Sequence, residues 1–400
     1  MRVVLDGRIV LPRMTGAGRY VIELARRLPG LTDDVSVDVL LLPETRGTSI
    51  PIALTDSGVK VHYVNARVAS LRQWLVVPSV LQRLRPHLYH YPFLDLPYVN
   101  FPSVVTIYDL NPILHPEYFD RFARIKRALA FRLIRSTLRR SRAALAISDA
   151  TRKLVQERYP ESMHKVRTIH LGVDPDAWTG DAKGDEGDAK GSINQHASWR
   201  TRSYVLYVGV DRPHKNLVRL VRAFGRFRKR NRWQDGSGPY LWLAGVGAGS
   251  RELRLQLSEL ALGKDVRLDP ALDEAGLRAA YLGSSALAYV STSEGFGLPI
   301  LEAFAAGVPV VAADASSLPE VAGEAALYTN PEDEQAISNT LDRIWNDGVL
   351  RRTLAERGRR RIKEFSWNAT ASATLRAYYD VLECRPTPQP GTHAPQRPLS

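Results

Sequence analysis

Two glutamates, Glu294 and Glu302, bracket the run Gly295-Phe296-Gly297-Leu298-Pro299-Ile300-Leu301. Carboxylates with glycines between them suit a ligand that carries both hydroxyls and an anion. Carboxylate oxygens accept hydrogen bonds from hydroxyls, and glycine lets the backbone come close to a ligand. A helix start beyond them offers free N–H groups and a positive dipole end to phosphate. The run follows the strand-like ALAYVST and opens the helix-like ILEAFAAG. It therefore lies beyond the carboxyl end of a strand, where open α/β sheets bind ligands. Glu302 falls about two helical turns further on and can face the same pocket as Glu294. An isolated glutamate pair of this kind is as compatible with a capped loop and two solvated carboxylates.

Two further stretches could serve an anion. Val210-Asp211-Arg212-Pro213-His214-Lys215-Asn216 follows a strand-like run and gathers Arg212, His214 and Lys215 in one turn. Such cations stabilise the negative charge that builds on a diphosphate leaving group, although an exposed basic turn capped by Asn216 fits the same residues. Gly16-Ala17-Gly18-Arg19 sits between the first strand and the helix-like YVIELARRL. A glycine turn at a helix start suits phosphate or sugar, and a purely structural turn is equally compatible. Val21 stands where the dinucleotide-binding G-x-G-x-x-G pattern needs its last glycine, so that pattern is absent.

The elements around these turns alternate. MRVVLDGRIV, VSVDVLLLP, VKVHYV, SVVTIYDL, AALAIS and KVRTIHLGV read as mostly buried strands in the first half, and SYVLYVGV, YLWLAGVG, DVRLD, ALAYVST, VPVVAAD and AALYTN in the second, with helical patterns between several of them. That alternation predicts parallel sheets covered on both faces. Residues 1–178 are expected to form one domain and 203–365 another. A Gly-, Asp- and Lys-rich linker spans 179–202, a last helix 366–384, and a Pro-rich disordered tail 385–400.

The second-half motif resembles the E-x(7)-E signature of glycosyltransferase family 4. YVLYVG, LWLAGVGAG, the ALAYVSTSEGFGLPILEAFAAGVPVVAAD stretch and SSLPEVAGEAALYTNPED follow the family's nucleotide-sugar domain. TGAGRY, SVVTIYDLNPILHPEYF, AISDATRKL and IHLGVD resemble its mannosyltransferase-like branch. The resemblance implies an α/β GT-B fold: two Rossmann-like domains facing across a cleft, with a C-terminal helix crossing back to the first. It implies a retaining, metal-independent transfer of a sugar, mannose from GDP-mannose being the first guess, to a glycan or lipid-linked acceptor in polysaccharide or glycolipid synthesis. No cofactor is implied, the nucleotide sugar being a substrate. Glu294 would face the donor sugar, the Gly295, Phe296 and Gly297 backbone would bind sugar or phosphate, Glu302 would hold ribose hydroxyls, and Leu298 would pack near the nucleotide. Lys215 would contact the diphosphate with Arg212 or His214 as second cation, and Gly16 and Gly18 would lie against the same diphosphate. Asp109 would lie at the donor or orient the acceptor, with a turn or cap role standing beside it. Tyr108 departs from the family's usual His, and Asp269-Pro270 from its usual Gly. Tyrosine cannot take up a proton at neutral pH, which argues against a general base at that position.

The bulk properties agree. The 400 residues are 44% hydrophobic and 24% charged, with one cysteine, Cys384. No apolar run reaches the roughly 18 residues of a membrane span, and a cytoplasmic location is expected. The net charge of +13 favours phosphate-bearing partners. It concentrates in Arg121–Arg142, which holds no acid. On a helix, Arg121, Arg124, Arg132, Arg135, Arg139 and Arg142 share one face, and Phe122, Ile125, Leu129 and Leu133 another. That face is either solvated or meets an anionic membrane. Two other classes are weighed. A GT-B-type sugar-nucleotide epimerase would not need the E-x(7)-E segment or the TGAGRY stretch. A nucleic-acid-binding protein would show a recognised module, and none is present.

Overall fold

The computed structural model describes residues 1–12, 14–114, 123–179, 202–233, 237–270 and 272–383. The stretches where the sequence predicts a linker and a tail lie almost wholly outside these residues. Among these residues thirteen strands form two sheets, and every pairing between them is parallel. β1 (Arg2–Asp6), β2 (Ser36–Leu41), β3 (Lys60–Tyr63), β4 (Leu88–Tyr91), β5 (Ser103–Ile107), β6 (Ala143–Ala146) and β7 (Val166–Thr168) lie in the order 3-2-1-4-5-6-7. β8 (Tyr204–Val208), β9 (Tyr240–Ala244), β10 (Val266–Asp269), β11 (Ala286–Tyr289), β12 (Val310–Ala313) and β13 (Ala326–Thr329) lie in the order 10-9-8-11-12-13.

Central strands such as RVVLD, SVVTI and VVAA are buried almost throughout. This is why they read as unbroken apolar runs: helices cover both faces of a parallel sheet, leaving no face to be polar. In both sheets the strand order reverses beside the first strand, β1 in one and β8 in the other. At such a switch point the crossovers leave in opposite directions and open a crevice at the carboxyl ends. The glycine turn follows β1 there, and the Arg212–Lys215 turn follows β8.

β4 is the strand that the apolar pattern misses. Its LYHY core is four residues long and carries a buried histidine. His90 is accommodated because both ring nitrogens find partners: Nδ1 is 2.6 Å from the Tyr378 hydroxyl and Nε2 is 2.8 Å from Thr106 Oγ1. Burial pushes its pKa down to about 3, so the ring is neutral. Tyr378 belongs to the last described helix, Trp367–Glu383, which packs on Gly16–Arg27 beside the first sheet. The C-terminal helix does cross back to the N-terminal half.

The basic helix runs Ala123–Arg140, so Arg142 falls outside it, leading into β6. Arg132, Arg135 and Arg139 share an exposed face as expected. The predicted apolar face does not become the buried one. Ile134 and Leu138 are buried, whereas Ile125 and Leu129 are 69% and 55% exposed. Among the described residues the buried face lies in the second half of the helix and is set by Ile134, Thr137 and Leu138. Arg121, Phe122 and the Arg124 side chain lie outside what the structure describes.

Candidate active site

The Glu294 loop is held in place before any ligand contact is considered. Ser316 Oγ accepts from the Glu294 N–H at 3.0 Å, and Ser317 Oγ donates to the carbonyls of Glu294 and Phe296 at 2.9 and 2.7 Å. Gly297 turns the chain with φ of +119°, a conformation that side-chain-bearing residues rarely adopt, and caps the helix Leu298–Ala305. Pro299 in the first turn needs no backbone N–H. The Phe296 ring is buried against His170 and Phe365, so that residue offers the site its backbone.

The loop presses on the first half of the chain. A Cβ on Gly295 would collide with the Tyr108 carbonyl oxygen. Thr151 Oγ1 lies 3.3 Å from the Gly295 carbonyl, and Ser293 Oγ donates to Asn111 Oδ1 at 3.0 Å. Leu298 faces Gly16, where a Cβ would meet its Cδ1 at 3.4 Å. The two glycine-bearing turns thus confront each other across the cleft. Glu320, in the short helix Leu318–Ala322, adds a third tie. Its carboxylate accepts from the backbone N–H groups of Asp149 and Ala150 at 2.7 and 2.9 Å and lies 2.6 Å from His170 Nε2.

Lys215 and Glu294 are direct partners. Nζ donates to Oε1 at 2.7 Å and Oε2 at 2.9 Å, and to the Tyr289 hydroxyl at 3.1 Å. The two side chains are 14% and 10% exposed. Burial would raise the Glu294 pKa, but the charge and hydrogen bonds of Lys215, with the Ser291 and Tyr289 hydroxyls, outweigh it and hold the carboxyl below its ordinary value. Burial likewise works against the charged Lys215, and Glu294 more than compensates. Lys215 stands at the end of a single 3-10 turn, Pro213–Lys215. Asn216 follows with φ of +64°, and its buried side chain donates to the carbonyls of Val290 and Pro331 rather than capping a helix. Arg212 is exposed at the head of the turn, and the His214 carbonyl accepts from the Thr292 N–H at 2.8 Å.

Glu302 is buried. Burial raises its pKa above the ordinary carboxylate value, and the Arg19 charge and the Tyr281 hydroxyl, which donates to Oε2 at 2.9 Å, only partly offset this. Arg19, Trp178, Glu274, Leu298 and Glu302 line one cavity of about 150 Å³ between the halves. Small-molecule pockets begin at roughly 300 Å³, so this cavity is small in the arrangement described.

Tyr108 buttresses the glycine turn. Its hydroxyl lies 3.5 Å from the Ala17 carbonyl and its ring meets Tyr20 edge-on. Burial holds its phenol well above the ordinary value, so it does not act as a base at neutral pH. Gly18 donates its N–H to Thr15 Oγ1 at 3.0 Å, the cap of Gly16–Arg27. The Asp109 carboxylate accepts from the Asn111 N–H at 2.9 Å, a local turn role. The Asp109 charge also favours the charged form of Lys215. Asp269, at the other departure from the family pattern, is held by Trp242 Nε1 and Arg267 at 2.6 and 2.7 Å.

Tyr281, Tyr289 and Trp178 complete the site and carry no sequence signal, since each reads as one more apolar residue of its element. Arg19 closes the glycine turn, and its reach across the cleft to Glu302 is visible only in three dimensions.

Both halves match family models: residues 14–177 the model described as Glycosyltransferase Family 4, and residues 190–361 that described as Glycosyl transferases group 1. The chain belongs to the glycosyltransferases of family 4. Among curated relatives, this transferase is 27% identical over 398 residues to O-antigen chain mannosyltransferase B of Escherichia coli, covering 94% of this chain and 99% of that one. It is 25% identical to O-antigen chain mannosyltransferase RfbU of Salmonella typhimurium over 60% of each chain. Among solved structures, sucrose-phosphate synthase of Thermosynechococcus elongatus superposes with a TM-score of 0.73 at 19% identity over 96% of the transferase and all of that chain. HepE of Anabaena, solved with UDP and glucose, gives 0.70 at 18% over 95% of the transferase and all of that chain. These likenesses identify the fold as GT-B.

Proposed function

We propose that the protein is a retaining glycosyltransferase that moves a hexosyl group, mannose from GDP-mannose first among candidates, onto a glycan or lipid-linked acceptor without a metal ion. The observation that carries the reading is the Lys215–Glu294 pair, set at the carboxyl ends of β8 and β11 where the two glycine turns confront each other. In this reading Glu294 holds Lys215 in one position and meets donor sugar hydroxyls, while Lys215 meets the diphosphate as the anomeric C–O bond breaks. The acceptor hydroxyl attacks from the face the diphosphate leaves, and its proton passes to a diphosphate oxygen. Position and charge do the work. Glu302, already a hydrogen-bond acceptor for Tyr281, takes the ribose hydroxyls. A mannosyl donor is favoured by the likeness to two O-antigen chain mannosyltransferases, one of them matched over 99% of its length.

Contact with an anionic membrane is part of the proposal. It is supported by Arg132, Arg135 and Arg139 on one exposed helix face with Ile125 and Leu129 exposed on the same helix. Among the described residues no helix is long and apolar enough to cross a membrane, so such contact would be peripheral.

The test is to incubate the protein with a panel of nucleotide sugars and mannosyl acceptors and to read products by mass spectrometry and anomeric configuration by NMR. Transfer with retained configuration supports the reading. Donor hydrolysis or epimerisation without transfer overturns it.

A further inference from the structure

The cavity between the halves holds one cation whose partner is out of proportion to its burial. Arg19, in the first turn of Gly16–Arg27, has a side chain only 16% exposed, yet its ion-pair partner Glu274 is 75% exposed at 3.3 Å. Its guanidinium stands 5.7 Å from the Trp178 ring centroid, and its field reaches Glu302 on the far wall.

An ion pair with a largely exposed carboxylate contributes little, because water screens it. The contact is also long for a guanidinium–carboxylate pair, 3.3 Å where charge-assisted bonds run at about 2.7–2.9 Å. Glu274 does not depend on Arg19 either. It lies in the first turn of Glu274–Leu282, where the positive helix end stabilises a negative charge. Arg19 is therefore held loosely, in a cavity that Leu298 and Glu302 line from the other half. A diphosphate entering there would offer it two or more charged oxygens in a matching fork.

We propose that Arg19 is a donor-phosphate ligand supplied by the N-terminal half, and that Glu274 is its competitor. Donor entry transfers the guanidinium from Glu274 to the diphosphate. The hand-over rests on the nucleotide-sugar reading above. It makes donor binding draw on both halves, with Lys215 approaching from the second sheet and Arg19 from the first. It also sets a threshold, because a ligand without phosphate charge offers Arg19 nothing better than Glu274.

The experiment is calorimetric titration of GDP and UDP into the full chain, wild type, Arg19→Gln, Arg19→Lys, Glu274→Gln and the double Gln variant, with thermal unfolding as a folding control. Arg19→Gln should weaken diphosphate binding about ten- to hundredfold, the loss of a charge-assisted contact, and Arg19→Lys should recover part of it. Glu274→Gln should tighten binding, up to about fivefold, and that gain should shrink when Arg19 is also Gln. If Arg19 and Glu274 form only a strut between the halves, both single variants weaken binding, and the hand-over is overturned. Unchanged affinity in Arg19→Gln overturns it too, as does a Glu274→Gln gain that persists undiminished without Arg19. If the wild-type chain binds neither nucleotide, the nucleotide-sugar reading itself falls.

Discussion

Lys215 Nζ lies 2.7 Å from one carboxylate oxygen of Glu294 and 2.9 Å from the other, and neither side chain is more than 14% exposed. The pair is therefore a unit: removing one member strands the other charge in a poorly solvated place.

Glu294→Gln should cut turnover far more than nucleoside-diphosphate affinity, because the amide keeps the shape but neither fixes Lys215 nor carries charge beside the sugar. Steady-state rates and calorimetry on the same preparation check this. Near-normal turnover would remove Glu294 from the active site. The variant also tests a pH dependence. The folded-state pKa of Glu294 is lowered, so its contribution to stability is present above the ordinary carboxylate pKa of about 4.3 and is lost as pH falls through the folded value. Unfolding of wild type between neutral pH and pH 3 should show that loss, and Glu294→Gln should show less of it.

Lys215→Ala should weaken nucleoside-diphosphate binding by about 1.5–3 kcal/mol and lower stability by about 3–5 kcal/mol, the typical effect of stranding a buried charge. Calorimetry and denaturant unfolding separate the two effects. Full affinity would move the phosphate site to Arg212 or His214.

Glu302→Gln should trade in the opposite direction. The Glu302 pKa is raised by burial, so the folded state favours its protonated form. That contribution is fully present below the ordinary pKa and lost as pH rises through the folded value. Burial disfavours the charged form, so the uncharged amide should raise Tm at neutral pH while weakening nucleotide binding. A lowered Tm at pH 7 with unchanged affinity would contradict both halves of this statement.

Gly295→Ala should depress activity by way of closure rather than chemistry. The added methyl meets the Tyr108 carbonyl, which belongs to the other half, and relieving such a clash costs about 1–3 kcal/mol. The expected signature is a raised KM for donor with nucleotide affinity of the second half retained. Wild-type kinetics in this variant would mean that the two halves do not close on this loop during turnover.

Chelation should leave transfer intact. Among the described residues one group of acids and histidine is close enough to hold an ion: Asp149, His170 and Glu320. There the Glu320 carboxylate already serves two backbone N–H groups and His170. Activity abolished by EDTA and restored by magnesium or manganese would refute this.

The positions of the two glycine turns and of the Lys215 turn were legible because each punctuates a change from strand to helix pattern, and that punctuation is local. The same holds for all six strands of the second sheet. β4 was not legible: His90 breaks the apolar run, and its acceptability depends on Tyr378, far along the chain. Pairings across the cleft were likewise out of reach. Nothing near Glu302 in sequence points to Tyr281 or Arg19, and nothing near Lys215 says that it binds the same glutamate the motif singles out. The buried side of the basic helix was misjudged for a related reason. Periodicity describes a helix along its whole length, whereas the described buried side chains of this one fall in its second half, at Ile134, Thr137 and Leu138.

The contact between His90 and Tyr378 also has a consequence for synthesis. It joins positions 288 residues apart, so the half that leaves the ribosome first lacks this helix until the whole second sheet has emerged. Until then His90 faces an open groove along Gly16–Arg27. The first-made half is thus the last to be completed, and the glycine turn that it carries acquires its final support only after the second half, with Lys215 and Glu294, already exists.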